Sequence, residues 1–237
     1  MRNVLITGAT SGIGKSLAAY LLARGYFVVA TGRHLEKVDA WKGLSNVVVS
    51  HLDVTDIACG EKIRNLLVEY DIDTVVLNAG AGYVNHDLDE AKEMEAIEVN
   101  VAGVTRCAVV VYQYFRAKGS GILCGISSVA GMRGIRHAPA YSASKAYVVA
   151  YLEALRYKAS KEGADISVVD IRPGFVETPL ISGDSSRYVF GKIGADKAAK
   201  LIYRALLRKK PVVYVPWWWR WVVGLMRLAP RKIYYKV

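Results

Sequence analysis

Tyr141 and Lys145 stand four apart in the run Tyr141-Ser-Ala-Ser-Lys145, and on a helix that spacing puts both on one face. A phenol with an ordinary pKa near ~10 is a poor acid–base group at neutral pH. An ammonium held close favours the phenolate and draws that pKa toward the working range. By itself the pair is a common surface or core contact. Ser128 gives it company, thirteen residues upstream in Ile126-Ser-Ser-Val-Ala-Gly131. The apolar run from Gly121 to Ile126 reads as a buried strand, and a hydroxyl just past such a strand sits where open α/β sheets carry their chemistry. Ser128 can hold a carbonyl oxygen while Tyr141 gives that oxygen a proton. Ser127 is the adjacent candidate; on spacing Ser128 is preferred.

The elements that must position these groups begin with Asn3-Val-Leu-Ile-Thr7, a short apolar strand. Gly8-Ala-Thr-Ser-Gly12-Ile-Gly14 follows, and then a helical pattern through Leu17, Leu21 and Leu22. Strand, glycine-rich turn and helix make a phosphate-binding unit. The glycines let the backbone turn tightly and approach a pyrophosphate, and the helix N-terminus supplies free N–H donors. The spacing is G-x-x-x-G-x-G, not G-x-G-x-x-G.

Further on, strand-like segments at 27–31, 47–50, 74–77, 122–126, 167–171 and 212–215 alternate with helix-like ones at about 57–70, 91–118, 141–162 and 195–208. Together with the opening strand at 4–7 and helix at about 13–24, this predicts an α/β fold. It is a doubly wound sheet of about seven parallel strands, with helices on both faces and right-handed crossovers. The 237 residues suit one domain with a substantial core. Cys59, Cys107 and Cys124 lack C-x-x-C spacing and read as buried thiols. The four histidines are scattered, so no metal site is expected. The first strand starts at once, so no signal peptide is expected, and a reducing cytoplasmic setting follows.

On these residues the chain resembles the short-chain dehydrogenase/reductase family, over roughly residues 2 to 215 and in the right order. The resemblance implies a single Rossmann-like domain over 1–215, with a variable substrate segment at about 178–194 and a tail at 216–237. It implies cofactor contacts from Gly8, Thr10, Ser11, Gly12, Ile13 and Gly14 in the glycine motif. Asp53-Val54 corresponds to the pair beside the adenine, Asn78-Ala79-Gly80 to the turn after the fourth strand, and Pro173-Gly174 with Val176 and Thr178 to the nicotinamide loop. Asn100, Ser128, Tyr141 and Lys145 match the catalytic set. Asn100 would hold a proton-relay water, and Tyr141 and Lys145 would also touch the cofactor. Leu77 departs from the family, which usually has a second asparagine there. Sugar-nucleotide epimerases share the glycine turn and Y-x-x-x-K, but they carry a large C-terminal substrate domain that is not expected here.

The end of the second strand decides between NAD and NADP, because an acid there binds the ribose 2′-hydroxyl and repels a 2′-phosphate. In this chain the position is Gly32, and Arg33 follows. A guanidinium pairs with phosphate through a charge-assisted fork, so NADP(H) is expected in preference to NAD(H). Glu36 should be turning away, and Lys15 is expected to face solvent. Leu180, Ile181, Tyr188, Val189, Phe190, Phe175 and the loop Met132–His137 suggest a pocket for an apolar ketone, aldehyde or alcohol, lipid-like or steroid-like. Arg133, Arg136 and His137 read as solvated loop charges rather than an anion site. The reading is hydride transfer between the nicotinamide and a carbonyl or secondary alcohol. A regulatory or scaffold protein of the same fold is the alternative, and an intact Asn-Ser-Tyr-Lys set argues against it.

The long segments 91–118 and 141–162 are expected to pair across a twofold axis, giving a homodimer or homotetramer. The tail is separate in character. The formal net charge is +11, and residues 197–237 hold eleven Lys/Arg and no acid, so residues 1–196 sum to zero. Trp217-Trp-Trp-Arg220-Trp221 and Val222-Val-Gly-Leu-Met226 lie between Pro216 and Pro230, which can start and stop a helix. That helix is too short to span a bilayer. Nucleic acid is a poor partner for its Val, Leu and Met residues. Two readings stay open: the helix packs over the pocket or on a partner subunit, or it lies in the headgroup region of an anionic membrane.

Overall fold

The computed structural model describes residues 2–179 and 191–230. Its centre is a seven-stranded sheet in which every neighbouring pair is parallel. The strands are β1 Asn3–Ile6, β2 Phe27–Gly32, β3 Val47–His51, β4 Thr74–Leu77, β5 Ser120–Ile126, β6 Asp165–Pro173 and, after the short pair β7 Val176–Glu177 and β8 Ile193–Gly194, β9 Val212–Val215. The order across the sheet is β3-β2-β1-β4-β5-β6-β9. The order in which strands are added therefore reverses between β1 and β4, and crevices for ligands open at such switch points.

Strand side chains alternate between two cores, as a two-residue period requires. Leu5, Val29, Val75 and Leu123 face α2 (Cys59–Glu69), α4 (Val104–Lys118) and α5 (Pro139–Glu162). Val4, Ile6, Val28 and Val76 face α1 (Gly12–Leu22) and α6 (Ala195–Leu207). Burying each such side chain is worth roughly 1.5–3 kcal/mol, so coverage of both faces is what makes this all-parallel sheet stable. Leu77 is 3% exposed and joins the first core.

The segment 91–118 is not one regular helix. α3 (Glu90–Ile97) passes into a π-helical turn, Glu98–Gly103, before α4. α3 is capped by Asp89, whose carboxylate accepts from the Ala91 N–H at 3.0 Å. α5 starts two residues early, because Pro139 suits the first helical turn. α4 and α5 end on Gly119 and Gly163, both in the left-handed region. The sequence also concealed a 3₁₀ stretch, Leu35–Trp41, and the β7–β8 ladder.

The tail helix forms between its two prolines as α7, Trp219–Leu228. Trp219 and Val223 are buried against Val129, Met132 and Val149. At its C-terminus, Nη1 of Arg133 donates to the Met226 carbonyl and, at 2.8 Å, to the Ala229 carbonyl. A cation placed there also answers the helix dipole. Arg133 was expected to be a solvated loop charge; it instead ties the 132–137 loop to α7.

Candidate active site

A cleft of about 400 Å³ runs along the C-terminal edge of the sheet, from the end of β2 past the switch point to the start of α5. Gly8, Thr10, Ser11, Gly12, Ile13, Arg33, Asp53, Val54, Asn78, Ala79, Gly80, Ser128, Tyr141, Lys145, Pro173, Gly174, Val176 and Thr178 all line it. Asn100 and Gly14 stand behind the wall. Leu180, Ile181, Tyr188, Val189 and Phe190 fall outside the described residues.

The glycine-rich turn is built for close approach. Gly8 has a φ of +66°, and a Cβ on it would fall 2.8 Å from the Ala79 backbone. A Cβ on Gly14 would fall 2.4 Å from the Gly8 carbonyl oxygen. Thr7 and Asn78 lock this turn to the end of β4. The Thr7 hydroxyl accepts from the N–H groups of Asn78 and Ala79, and the Asn78 amide donates to the carbonyls of Thr7 and Gly8 at 3.0 Å. Ser11, extended at the N-cap of α1, makes no side-chain capping bond, and the first turn has no acid. The helix therefore presents N–H donors and positive dipole without a competing anion. These residues fit a dinucleotide pyrophosphate.

At the end of β2 the position is Gly32, and a Cβ there would fall 2.8 Å from the Thr10 side chain, which would have to shift to admit one. Arg33, His34 and Lys37 line this end of the cleft. Lys37 carried no sequence signal, because the 3₁₀ stretch that brings it beside Arg33 was not anticipated. Glu36 turns to His34 at 3.4 Å, and Lys15 donates to the Lys37 carbonyl at 2.6 Å. Asp53 accepts from the Thr55 N–H and hydroxyl. Burial works to raise its pKa, but those two bonds and the charge of Arg33 prevail and hold it below the usual carboxylate value.

At the other end, Tyr141 opens α5 and Ser128 caps the 3₁₀ turn Val129–Met132 after β5. The Ser128 hydroxyl works to lower the pKa of the Tyr141 phenol and accepts from the Ala130 N–H at 3.0 Å. Ser127 points the other way, to Asp170 Oδ1 at 2.5 Å and the Ile171 carbonyl at 3.0 Å. Gly82 permits the phenol's seat, since a Cβ there would fall 2.5 Å from the ring. No motif pointed to Gly82.

Lys145 is 5% exposed, and its Nζ donates to the Ile126 carbonyl at 3.0 Å. It stands 5.8 Å from the centre of the Tyr141 ring. Burial pushes the Tyr141 pKa up, with the Ser128 hydroxyl opposing. This reverses the expected direction. Burial also pushes Lys145 down to about 8, against the charge of buried Asp170. Asp170 in turn pairs with Arg172 at 2.6 Å. The Asn100 amide, on the π-helical turn, holds both the N–H and C=O of Ala81 and donates to Ser144 at 2.9 Å. Its side chain thereby pins the Ala79–Ala81 turn next to Lys145.

The inner face of α7 closes this end from behind. A Cβ on Gly174 would fall 1.9 Å from the Trp219 indole nitrogen, and one on Gly191 would fall 2.3 Å from the Trp218 ring. The tail thus holds the chain just before and just after residues 180–190. Phe175 turns to Trp219, ring centres 5.6 Å apart. Arg136 contacts the His137 ring. Neither Phe175 nor the loop Met132–His137 lines the described cleft.

A parallel sheet with a glycine-rich turn at its switch point, and a Ser-Tyr-Lys cluster at the end of β5, defines a nucleotide-binding α/β enzyme fold. The sequence profile described as short chain dehydrogenase matches residues 2–188. An uncharacterized oxidoreductase of Myxococcus xanthus is 35% identical over 225 residues, covering 91% of this chain and 88% of that protein. Serine dehydrogenase in its closed form with NADP+ superposes with a TM-score of 0.76 at 26% identity, over 86% of this chain and 88% of its own. A short chain dehydrogenase/reductase from Burkholderia phymatum with NAD gives a TM-score of 0.84 at 21% identity, over 95% and 92% of the two chains; at that identity it speaks for the fold. The chain belongs to the short-chain dehydrogenase family, and its class of chemistry is oxidoreduction.

Proposed function

We propose that the protein is an NADP(H)-dependent oxidoreductase that reduces an apolar ketone or aldehyde, with the reverse alcohol oxidation available to it. The observation that carries this reading is the convergence of Ser128, Tyr141 and Lys145 in one cleft with the glycine-rich turn. Residues 1–215 supply the cofactor site and the catalytic set. A bound nicotinamide cofactor supplies the hydride in the reducing direction. The turn from Gly8 to Gly14 and the N-terminus of α1 take its pyrophosphate, and Asp53 and Val54 flank its adenine. Pro173, Gly174, Val176 and Thr178 border its nicotinamide end.

The preference for NADP(H) rests on Gly32, Arg33 and Lys37. The first places no acid there, and the other two offer cations where a 2′-phosphate would lie. Serine dehydrogenase carries NADP+ and the Burkholderia phymatum enzyme carries NAD, so the choice turns on this chain's own residues.

In the reducing direction Ser128 donates to the carbonyl oxygen and orients it. Tyr141, kept protonated by its burial, gives that oxygen the proton. Lys145 remains a cation at neutral pH, stabilises the phenolate left behind and holds the ribose hydroxyls. Asn100 keeps the Ala79–Ala81 turn in place, and beside it runs the route by which water restores the proton. Two copies pair through α4 and α5, and the three buried free thiols suit a reducing cytoplasm.

A screen of ketones and aldehydes that follows NADPH consumption tests the reading. Turnover should appear with apolar carbonyl compounds, and Tyr141→Phe should reduce it by about 10²–10⁴ while still binding NADPH. If the phenylalanine variant keeps more than about a tenth of the activity, proton donation by Tyr141 is wrong. NADPH binding without turnover on any carbonyl compound favours the scaffold reading.

A further inference from the structure

The two readings of the tail fall on opposite sides of one helix. Trp219 and Val223, at 6% and 2% exposure, are buried against the protein. The far side carries Trp217, Trp221, Leu225 and Leu228, at 68%, 61%, 71% and 83% exposure. Trp221, Leu225 and Leu228, spaced four and three, make a single stripe along α7, and Trp217 lies in the turn just before it. Large apolar groups exposed singly need no explanation, but a contiguous stripe flanked by a second tryptophan does. Arg220 and Arg227 lie along one flank, both exposed, and the Arg220 guanidinium sits 5.0 Å from the Trp221 ring.

We propose that this outer face of α7 docks the protein on an anionic membrane surface. Indoles favour the boundary between headgroups and acyl chains, leucines enter the acyl edge, and arginines reach lipid phosphates. The charge distribution favours that occupant. Residues 216–237 contain five Lys/Arg and no acid, and such a segment is drawn to an anionic leaflet. A second copy of this chain fits poorly: two such tails would repel. Four side chains on and just before a short helix also fall well short of the ~800 Å² per partner of a stable interface. At roughly 1.5 Å per residue the helix lies on a bilayer rather than crossing it, and no helix among the described residues is long and apolar enough to span one. The inner face is fixed to Gly174 and Gly191, so docking does not require the helix to detach. The proposal stands on this surface alone and not on the cofactor or the substrate.

Co-sedimentation of the full chain with vesicles decides it, comparing phosphatidylcholine alone with phosphatidylcholine containing about 30% phosphatidylserine. The protein should pellet with the anionic vesicles at low salt, and less in about 0.5 M salt. A variant with Trp217→Ser, Trp221→Ser, Leu225→Ser and Leu228→Ser should partition roughly tenfold more weakly or worse while keeping the wild-type circular dichroism and NADPH binding. Arg220→Glu with Arg227→Glu should weaken pelleting without touching the apolar stripe. Failure of the wild-type chain to pellet at low salt overturns the proposal, as does a stripe variant that pellets like wild type. Equal pelleting with both vesicle types removes the anionic part. A change in oligomeric mass on light scattering that the stripe variant abolishes would assign the face to a second copy instead.

Discussion

The Trp219 indole fills the space that a side chain at position 174 would occupy: a Cβ on Gly174 would fall 1.9 Å from its nitrogen. Among the described residues, that nitrogen is the one buried side-chain polar atom without a hydrogen-bond partner. The tail helix and the Pro173–Gly174 loop are therefore packed as one unit, although 45 residues separate the two positions.

Trp219→Ala should cost about 3–5 kcal/mol, as large aromatics buried in a core do, read as a lowered urea midpoint. Trp219→Phe should recover most of the packing and shed the unpaired N–H. Gly174→Ala should displace the indole and cost about 1–3 kcal/mol. If Trp219→Ala unfolds at the wild-type midpoint, α7 is not part of the folded unit.

NADPH should bind more tightly than NADH, and Arg33→Ala should erase most of the difference, on the order of tenfold to a hundredfold. Lys37→Ala should remove a smaller share, since an ammonium makes a single-point contact where a guanidinium makes a fork. Titration by cofactor fluorescence measures both. Equal affinity of the native chain for the two cofactors would sink the assignment.

Lys145 titrates at about 8 rather than its ordinary 10.5, because burial disfavours its charge. The cation is present below that value and lost above it. The Tyr141 pKa is pushed up, so the proton donor stays loaded across the same range. Carbonyl reduction should therefore be level near neutrality and fall about tenfold per pH unit well above 8. Asp170→Asn should move that limb to lower pH, because Asp170 supports the Lys145 charge. A kcat/KM profile still level at pH ~9.5 would contradict the role given to Lys145.

The outward side of α5 exposes Ala146, Ala150, Ala154 and Tyr157, and that of α4 exposes Val109. Small residues permit close helix approach, so two copies should pair here. Light scattering at micromolar concentration should report at least a dimer, and Ala150→Glu should shift it toward monomer. A strictly monomeric native mass would refute this.

Local features of the chain specified the fold and the main chemical groups. Alternating strand and helix periods led to the seven parallel strands. The glycine spacing pointed to the turn at the switch point, and the four-residue step from Tyr141 to Lys145 to their shared helix. Pro216 and Pro230 bracketed α7. These are short-range patterns, fixed by backbone sterics and by which face of an element is apolar.

The tertiary structure decided what depends on residues far apart in the chain. Burial set the direction of the Tyr141 pKa, because desolvation depends on surroundings that spacing cannot report. Arg133 went to the carbonyls at the end of α7, more than ninety residues away. Lys37 reached the cleft through a 3₁₀ stretch with no periodic signature. Only the packed helix separated the Trp219 and Val223 side from the Trp217 and Trp221 side, since nothing in Trp217-Trp-Trp-Arg220-Trp221 distinguishes the indoles until one face has a core to enter.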